Sequence, residues 1–415
     1  MEHIEKIIVS IQLNEEEIEV GELASDAKNI YFKYYTDFIK RGLEISPIKL
    51  KLNNIINKAD PTPFEGLFGV FADSLPDGWG KLLLDRALAA RGIAVDDISV
   101  LDRLAYVGSN GMGALTYKPE IKEEGQAEFE VKLDEIAKAT NQIIAGVATN
   151  VLDELFKLGG SSGGARPKIL VGYNPITQHL IGTDKTLPND YEHWLIKFPS
   201  SSDRPDIANI EYAYYKMALD AGIEMSESKL FKGLSGQVYF GTKRFDRNGN
   251  KRLHLHSAAG IMHDNFRLSN IDYGDLMDCA FRLEKDVRAY EKILRLAAFN
   301  VFAHNRDDHS KNFAFLMDAT GTWKVAPAYD LTFSTSGHGM HSTTVARESK
   351  NPTKKHLMEL GDYFKIKNAN KIIDEVQAVV FNWKMYADQC GVSTESKNRI
   401  EKVIVLNTKL KSRNT

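Results

Sequence analysis

Cysteine is almost missing from this chain. Its two thiols, Cys279 and Cys390, stand far apart among 415 residues, which leaves no disulfide framework or metal knuckle and fits a reducing, cytoplasmic setting. No apolar run approaches the roughly 20 residues that cross a bilayer. The start, Met1-Glu2-His3-Ile4-Glu5-Lys6, lacks the apolar core of a signal peptide. Charge of one sign is not in excess either: 53 Lys and Arg face 56 Asp and Glu, for a formal net charge of −3. That balance argues against direct nucleic-acid binding by this chain. Repeats and low-complexity tracts are absent too. What is present, 43% hydrophobic and 26% charged residues, is a soluble globular composition on a chain long enough for two or three packed units.

The stretch richest in chemistry is His304-Asn305-Arg306-Asp307-Asp308-His309-Ser310-Lys311-Asn312. Asp307 and Asn312 have the spacing of the Asp and Asn in the protein-kinase loop H-R-D-x-x-x-x-N. The apolar run Phe313–Met317, the turn residues Asp318-Ala319-Thr320-Gly321 and a second run from Trp323 to Ala326 predict a hairpin. A hairpin returns the chain to its start, so Asp330 is expected beside Asn312. One carboxylate could then position a nucleophile, while an amide and a second carboxylate hold magnesium. Phosphoryl transfer needs that set, because its catalysis is mostly positioning and charge stabilisation. The same His and Asp residues could instead form a metal-hydrolase cluster. Asn312 and Asp330 match a magnesium–nucleotide site better.

Along the chain, Ile7–Ile11, Ile18–Leu23 and Ile30–Tyr35 are short β-branched and aromatic runs that predict strands. Pro76-Asp77-Gly78-Trp79-Gly80 reads as a turn and the start of a helix with Leu83, Leu84, Ala87 and Leu88 on one side. A strand is expected near Gly113–Tyr117 and a polar linker at Lys122–Gln126. Gly159-Gly160-Ser161-Ser162-Gly163-Gly164-Ala165-Arg166-Pro167-Lys168 then runs into the strand Ile169–Val171. Four glycines in six residues allow a tight turn and let successive N–H groups converge on phosphate, although a plain flexible loop has the same composition. In Tyr191–Pro199, Lys197 either snorkels at a sheet edge or reaches an anion. The helix predicted from Asn209 to Gly222 carries Glu211 beside its apolar stripe, placed to pair with Lys197 or to be solvated. Gln237–Arg247 is a further strand. Helical periodicity takes over from about residue 255, most clearly from Glu284 to Ala303, where Val287, Tyr290, Ile293, Leu294, Ala297, Ala298, Val301 and Phe302 recur at helical spacing. Thr332–Ser349, rich in Ser, Thr, Gly and His, reads as a mobile segment where a substrate could lie. Closing helices include one through Ile372 and Trp383 and one from the candidate N-cap Ser393 to Leu410.

Taken in order, the Gly-rich loop, strand lysine, helix glutamate, Asp-x4-Asn loop, hairpin and final Asp form a kinase-like series. In these residues the chain resembles the HipA-type serine/threonine kinases, the toxin components of bacterial toxin–antitoxin modules. Asn305–Asn312 resembles that family's catalytic loop, Pro327-Ala328-Tyr329-Asp330 its metal motif, Gly163–Lys168 its nucleotide loop and Leu75–Gly80 its N-terminal signature. The resemblance implies an α+β fold of two lobes, a mixed, strand-rich N-terminal region and a mainly helical C-terminal lobe, with bounds at 1–120, 121–252 and 253–415. It implies ATP and Mg2+ as cofactors and Asp307 as the catalytic base. Asn312 and Asp330 would be the metal ligands, and Gly163, Gly164, Ala165, Arg166, Pro167, Lys168, Lys197, Lys243, Arg244, Phe245, His309, Lys311 and Tyr329 the ATP-binding set. Autophosphorylation of Ser161 or Ser162 would switch the enzyme off by placing a dianion beside the phosphate cradle. The implied partners are a cytosolic protein substrate such as an aminoacyl-tRNA synthetase, and a helix-turn-helix, HipB-like antitoxin that carries any DNA contact. The competing reading is a catalytically silent protein that uses this fold to hold nucleotide or antitoxin.

Overall fold

The computed structural model describes residues 3–412, except 27, 122–127, 148–151, 161–162, 184–185, 202 and 337. The linker expected at Lys122–Gln126 and the serines Ser161 and Ser162 lie outside the described residues. The chain divides into two compact units. The first holds Met1–Asp203, Phe231–His256 and Leu316–Thr322; the second holds Arg204–Leu230, Ser257–Phe315 and Trp323–Thr415.

The first unit is built on two antiparallel sheets. The three predicted N-terminal strands form as Lys6–Leu13, Glu16–Ser25 and Ile30–Tyr34, flanked by Leu115–Lys118 at one edge and Asn57–Lys58 at the other. Alternation drives Ile7, Val9, Ile11 and Leu13 into the core, each 2% exposed or less, and the register slips between Val9 and Ser10. In the second sheet the strand order is 228–232, 238–243, 192–197, 168–173, 180–183, 128–130. Ile169, Val171, Tyr173, Trp194, Ile196 and Tyr239 pack in one apolar cluster with the helix Gly78–Ala90, whose stripe is the predicted Leu83, Leu84, Ala87 and Leu88 with Trp79 added. Burying these large side chains supplies about 1.5–3 kcal/mol each, enough to fix the sheet that carries the Gly-rich loop.

The second unit is mainly helical. Its centre is Arg288–Phe302, buried at Ile293, Leu294, Ala297, Ala298, Val301 and Phe302, and packed against Tyr273–Glu284 and Ala369–Phe381. Val287 departs from the predicted stripe. It precedes the helix as N-cap and stands 65% exposed, so the periodic pattern begins one turn later than its apolar residue suggests. Tyr214 of the helix Ile207–Asp220 donates its hydroxyl to the Ala303 carbonyl at 2.6 Å, which satisfies the end of the central helix. The helix through Ile372 stops at Phe381, and Trp383 opens a new one that runs to Gln389. Ser393 caps the last helix by accepting from the Ser396 N–H.

Candidate active site

The catalytic loop begins where the central helix ends. His304 takes a left-handed turn (φ 56°) that a bulky residue adopts only under constraint, and its ring stacks on Phe333 at 5.5 Å. Asn305 bonds back to Asn300 through both backbone and side chain, at 3.0 Å each. Asp307 then emerges with a side chain 58% exposed, while its backbone carbonyl accepts from the Asn312 amide at 2.6 Å. That bond uses the Asn312 nitrogen and not its amide oxygen. A short helical turn, Ser310–Asn312, follows, with Ser310 donating to Asp264 at 2.5 Å. His309 lies 3.8 Å from Asp307.

Beyond Asn312 the predicted hairpin forms from Ala314–Met317 and Trp323–Val325, turned by Asp318, which accepts from the Thr320 and Thr322 N–H groups. The returning chain is tied to its start: the Tyr329 hydroxyl donates to the Lys311 carbonyl at 2.5 Å. Ala328 is held by the Glu224 carbonyl, and Asp330 itself adopts φ 54°. Two non-glycine residues in the left-handed region, His304 and Asp330, thus bracket the predicted catalytic loop and the Pro327–Asp330 segment.

Asp308 has a role that sequence reading missed. The sequence suggests it only as a member of a metal cluster, yet its side chain is fully buried, unlike that of Asp307. It accepts from the Tyr273 hydroxyl (2.8 Å), His341 Nδ1 (2.8 Å) and the Ser342 N–H (2.8 Å), while Thr343 donates to its carbonyl at 2.5 Å. Burial and the Asp308 charge push the Tyr273 phenol well up, so it stays a proton donor. Tyr273 in turn accepts from Asn300 at 2.9 Å, closing a circuit back to the helix end. The circuit also settles the segment expected to be mobile: His341 and Thr343 are buried, Arg306 bonds to the Gly339 and Lys350 carbonyls, and Ser334 pairs with the loop. The described residues between 332 and 349 brace the predicted catalytic loop. Among the described residues no group of three or more His, Cys, Asp and Glu is placed to hold a metal, because Asp308 and His304 are turned into separate packing.

In the first unit, the Gly-rich loop rests on the segment read from sequence as a plain turn and helix start. Trp79 N–H donates to the Gly164 carbonyl at 3.0 Å, the Gly164 N–H donates to Asp77, and the Trp79 indole donates to the Lys168 carbonyl at 3.0 Å. Lys168 Nζ, on a side chain that is largely buried, donates to the Gly163 carbonyl at 2.6 Å. Gly78 is required here. Its φ is 44°, and a Cβ would fall 2.5 Å from the Gly164 oxygen and 2.6 Å from Ala165 Cα. Pro167 accepts from Phe198 N–H at 2.8 Å, and Arg166 pairs with Asp203 at 3.2 Å.

Lys197 sits in a central strand, so the edge-snorkelling option fails. It stands directly opposite Lys168 on one neighbour and Phe240 on the other. Directly opposed residues share a sheet face, so the two lysines lie on one side of the sheet. Its ammonium lies 5.5 Å from the Phe240 ring centre. Glu211, in the second unit, is only 4% exposed, which removes the solvated-glutamate option. Lys243 is paired with Glu192 at 2.6 Å, and Arg244 is buried in a fork with Asp246, at 2.9 and 2.7 Å. Phe245 directly follows Arg244 in the chain that leaves the strand Val238–Lys243. For magnesium, Asn312 and Asp330 carry hard oxygen donors of the kind such a cation takes, and the Asn312 bond to Asp307 does not use its oxygen.

Comparison with known proteins identifies the family. A family model described as the HipA-like C-terminal domain matches residues 160–383, and one for the HipA N-terminal domain matches 11–118. A Sinorhizobium fredii protein named "Putative kinase Y4mE" is 26% identical over 360 residues, covering 78% of this chain and 72% of its own. The solved structure of the Shewanella oneidensis HipA, HipB and operator DNA complex contains a chain with a TM-score of 0.67 at 17% identity, covering 96% of this chain and 95% of that one. That likeness extends the α+β, two-part arrangement of strand-rich and helical regions over nearly the whole length. With more than half of its residues matched by the C-terminal model alone, the chain belongs to the HipA family.

Proposed function

We propose that the protein is an ATP- and magnesium-dependent serine/threonine-protein kinase of the HipA type. One observation carries this reading: Asp307 alone among the loop carboxylates is presented to solvent, while its neighbour Asp308 is spent on holding the loop and Asn312 grips Asp307's own carbonyl. Such a carboxylate can orient and deprotonate a substrate hydroxyl. Asn312 and Asp330 would hold the metal, whose bound charge would offset that building on the phosphates. Gly163–Lys168, with Lys197, would take the phosphates, and Lys168 and Lys197 stand opposite each other on neighbouring strands. Lys197 paired with Glu211, an adenine-side strand at Lys243–Phe245, and contacts from His309, Lys311 and Tyr329 complete the proposed machinery.

The kinase name of the Sinorhizobium relative supports this reading. The HipB and operator DNA in the Shewanella complex support a helix-turn-helix antitoxin as partner, with DNA reached through it. A cytosolic protein substrate and autophosphorylation at Ser161 or Ser162 belong to the same proposal, as does the three-part organisation at 1–120, 121–252 and 253–415. Radiolabel transfer from ATP tests it. Asp307→Ala should lower transfer by about 10^2–10^4-fold with an unchanged melting temperature, and Asp330→Ala should raise the magnesium requirement. Undiminished transfer by Asp307→Ala excludes the assigned role.

A further inference from the structure

The first unit contains a cavity of about 270 Å³ whose lining includes His193, Arg244, Arg247, Asn250 and Arg252. Of the residues assigned to nucleotide, only Arg244 borders it. The charge there does not balance. Asp246, with no side-chain exposure, accepts from both Arg244 and Arg247, whose side chains are 7% and 5% exposed. Arg247 also donates to the Gly111 and Gly113 carbonyls, at 3.2 and 2.8 Å. That one carboxylate answers for two guanidiniums, and Arg252 adds a third whose buried Nη1 has no hydrogen-bond partner.

The other acids that act on Arg252, Glu120 and Glu17, are engaged elsewhere. Glu120 accepts from the Ser109 backbone and hydroxyl, and Glu17 accepts from Thr116 and Lys118. Burial and the two neighbouring arginines push His193 down to about 3, so at neutral pH its ring adds no charge. Glu17 is answered by Lys118, whereas Glu120 keeps its charge and offsets part of the excess, so at least one positive charge is left over among planar forks whose geometry matches phosphate oxygens. A buried guanidinium nitrogen without an acceptor is costly, and an anion in the cavity would complete it.

We propose that this cavity binds the dianion of a phosphate monoester, with Arg252 as its principal ligand, at a site distinct from the nucleotide loop. The volume exceeds what one phosphate fills and leaves room for a small organic group, at the low end of ligand-sized pockets.

Thermal unfolding of the full-length protein tests this with three probes: inorganic phosphate, ribose 5-phosphate, and sodium chloride at matched ionic strength. All are measured with a non-hydrolysable ATP analogue and magnesium already saturating. Inorganic phosphate and ribose 5-phosphate should each raise the midpoint saturably by several degrees over chloride, the monoester at lower concentration. Inorganic phosphate acting at the lower concentration would make the free ion the ligand and overturn the monoester assignment. Arg252→Gln should abolish the rise while its phosphate-free midpoint equals or exceeds that of the native protein, because one uncompensated charge is gone. Arg252→Lys should restore part of the rise. No saturable rise in the native protein, an equal rise in Arg252→Gln, or a rise lost once the ATP analogue is present would overturn the proposal. A lower phosphate-free midpoint for Arg252→Gln would do so too, by making this guanidinium scaffold.

Discussion

The two functional loops are secured by opposite means. In the first unit the Gly-rich loop is held at a few backbone points, by Asp77, Trp79 and Lys168, and the fit depends on glycines at 78 and 164. In the second, the catalytic loop is braced by a buried carboxylate, Asp308, ringed by Tyr273, His341 and the backbone at 342. A loop proposed to wrap phosphates gains from few side chains and short reach. A loop that must hold one carboxylate at a fixed angle gains from a satisfied polar network, which tolerates little displacement.

That contrast can be broken in a definite order. Asp308→Ala leaves the Tyr273 hydroxyl and His341 without their acceptor in the core. It should cost about 3–5 kcal/mol, seen as a lower denaturation midpoint together with loss of phosphoryl transfer. Transfer retained at full rate would show that the loop needs no brace. Gly78→Ala should cost about 1–3 kcal/mol through the strained φ and the clash at Gly164. Its signature is weaker ATP binding, with Asp307-dependent chemistry intact once nucleotide is saturating; unaltered affinity would detach Gly78 from the nucleotide loop. Acid sharpens the comparison more gently. Burial, with the nearby His256, pushes His254 in the first unit down to about 4, and its Nε2 lies 2.8 Å from the Ile45 carbonyl. The unfolded chain takes up that proton near pH 6.5 and the folded one does not, so stability falls as pH drops from about 6.5 to 4, by about 1.4 kcal/mol per pH unit for each such group. His254→Gln should flatten the slope by that amount in urea titrations across this range, and an unchanged slope would mean that His254 titrates normally.

Local chemistry made much of this legible. The Asp307–Asn312 spacing, the turn at Asp318–Gly321, the strands of the first sheet and the stripe of Gly78–Ala90 each follow from neighbours within a few residues, and the structure contains them. Reading stopped where meaning comes from distant partners. Asp77 and Trp79 looked like turn chemistry because their acceptor and donor lie nearly ninety positions away. Asp308 looked like one more loop acid because Tyr273 and His341 are not near it in the chain. The Ser- and Gly-rich stretch 332–349 looked loose because composition reports propensity, whereas its anchors are the carbonyls and carboxylate of the catalytic loop. Val287 shows the same limit on a small scale: its apolar side chain joins the pattern, but the helix begins after it.

The seat of the Gly-rich loop has a consequence for how this protein can be divided. Asp77 and Trp79 fall in the stretch matched by the N-terminal family model, and Gly164 and Lys168 in the stretch matched by the C-terminal one. Two modules that separate cleanly as sequence patterns therefore share a joint at this loop. Expressing residues 160–383 by themselves would remove the floor on which that loop lies, and grafting a foreign N-terminal module would require it to bring its own Asp, Gly and Trp to the same spot.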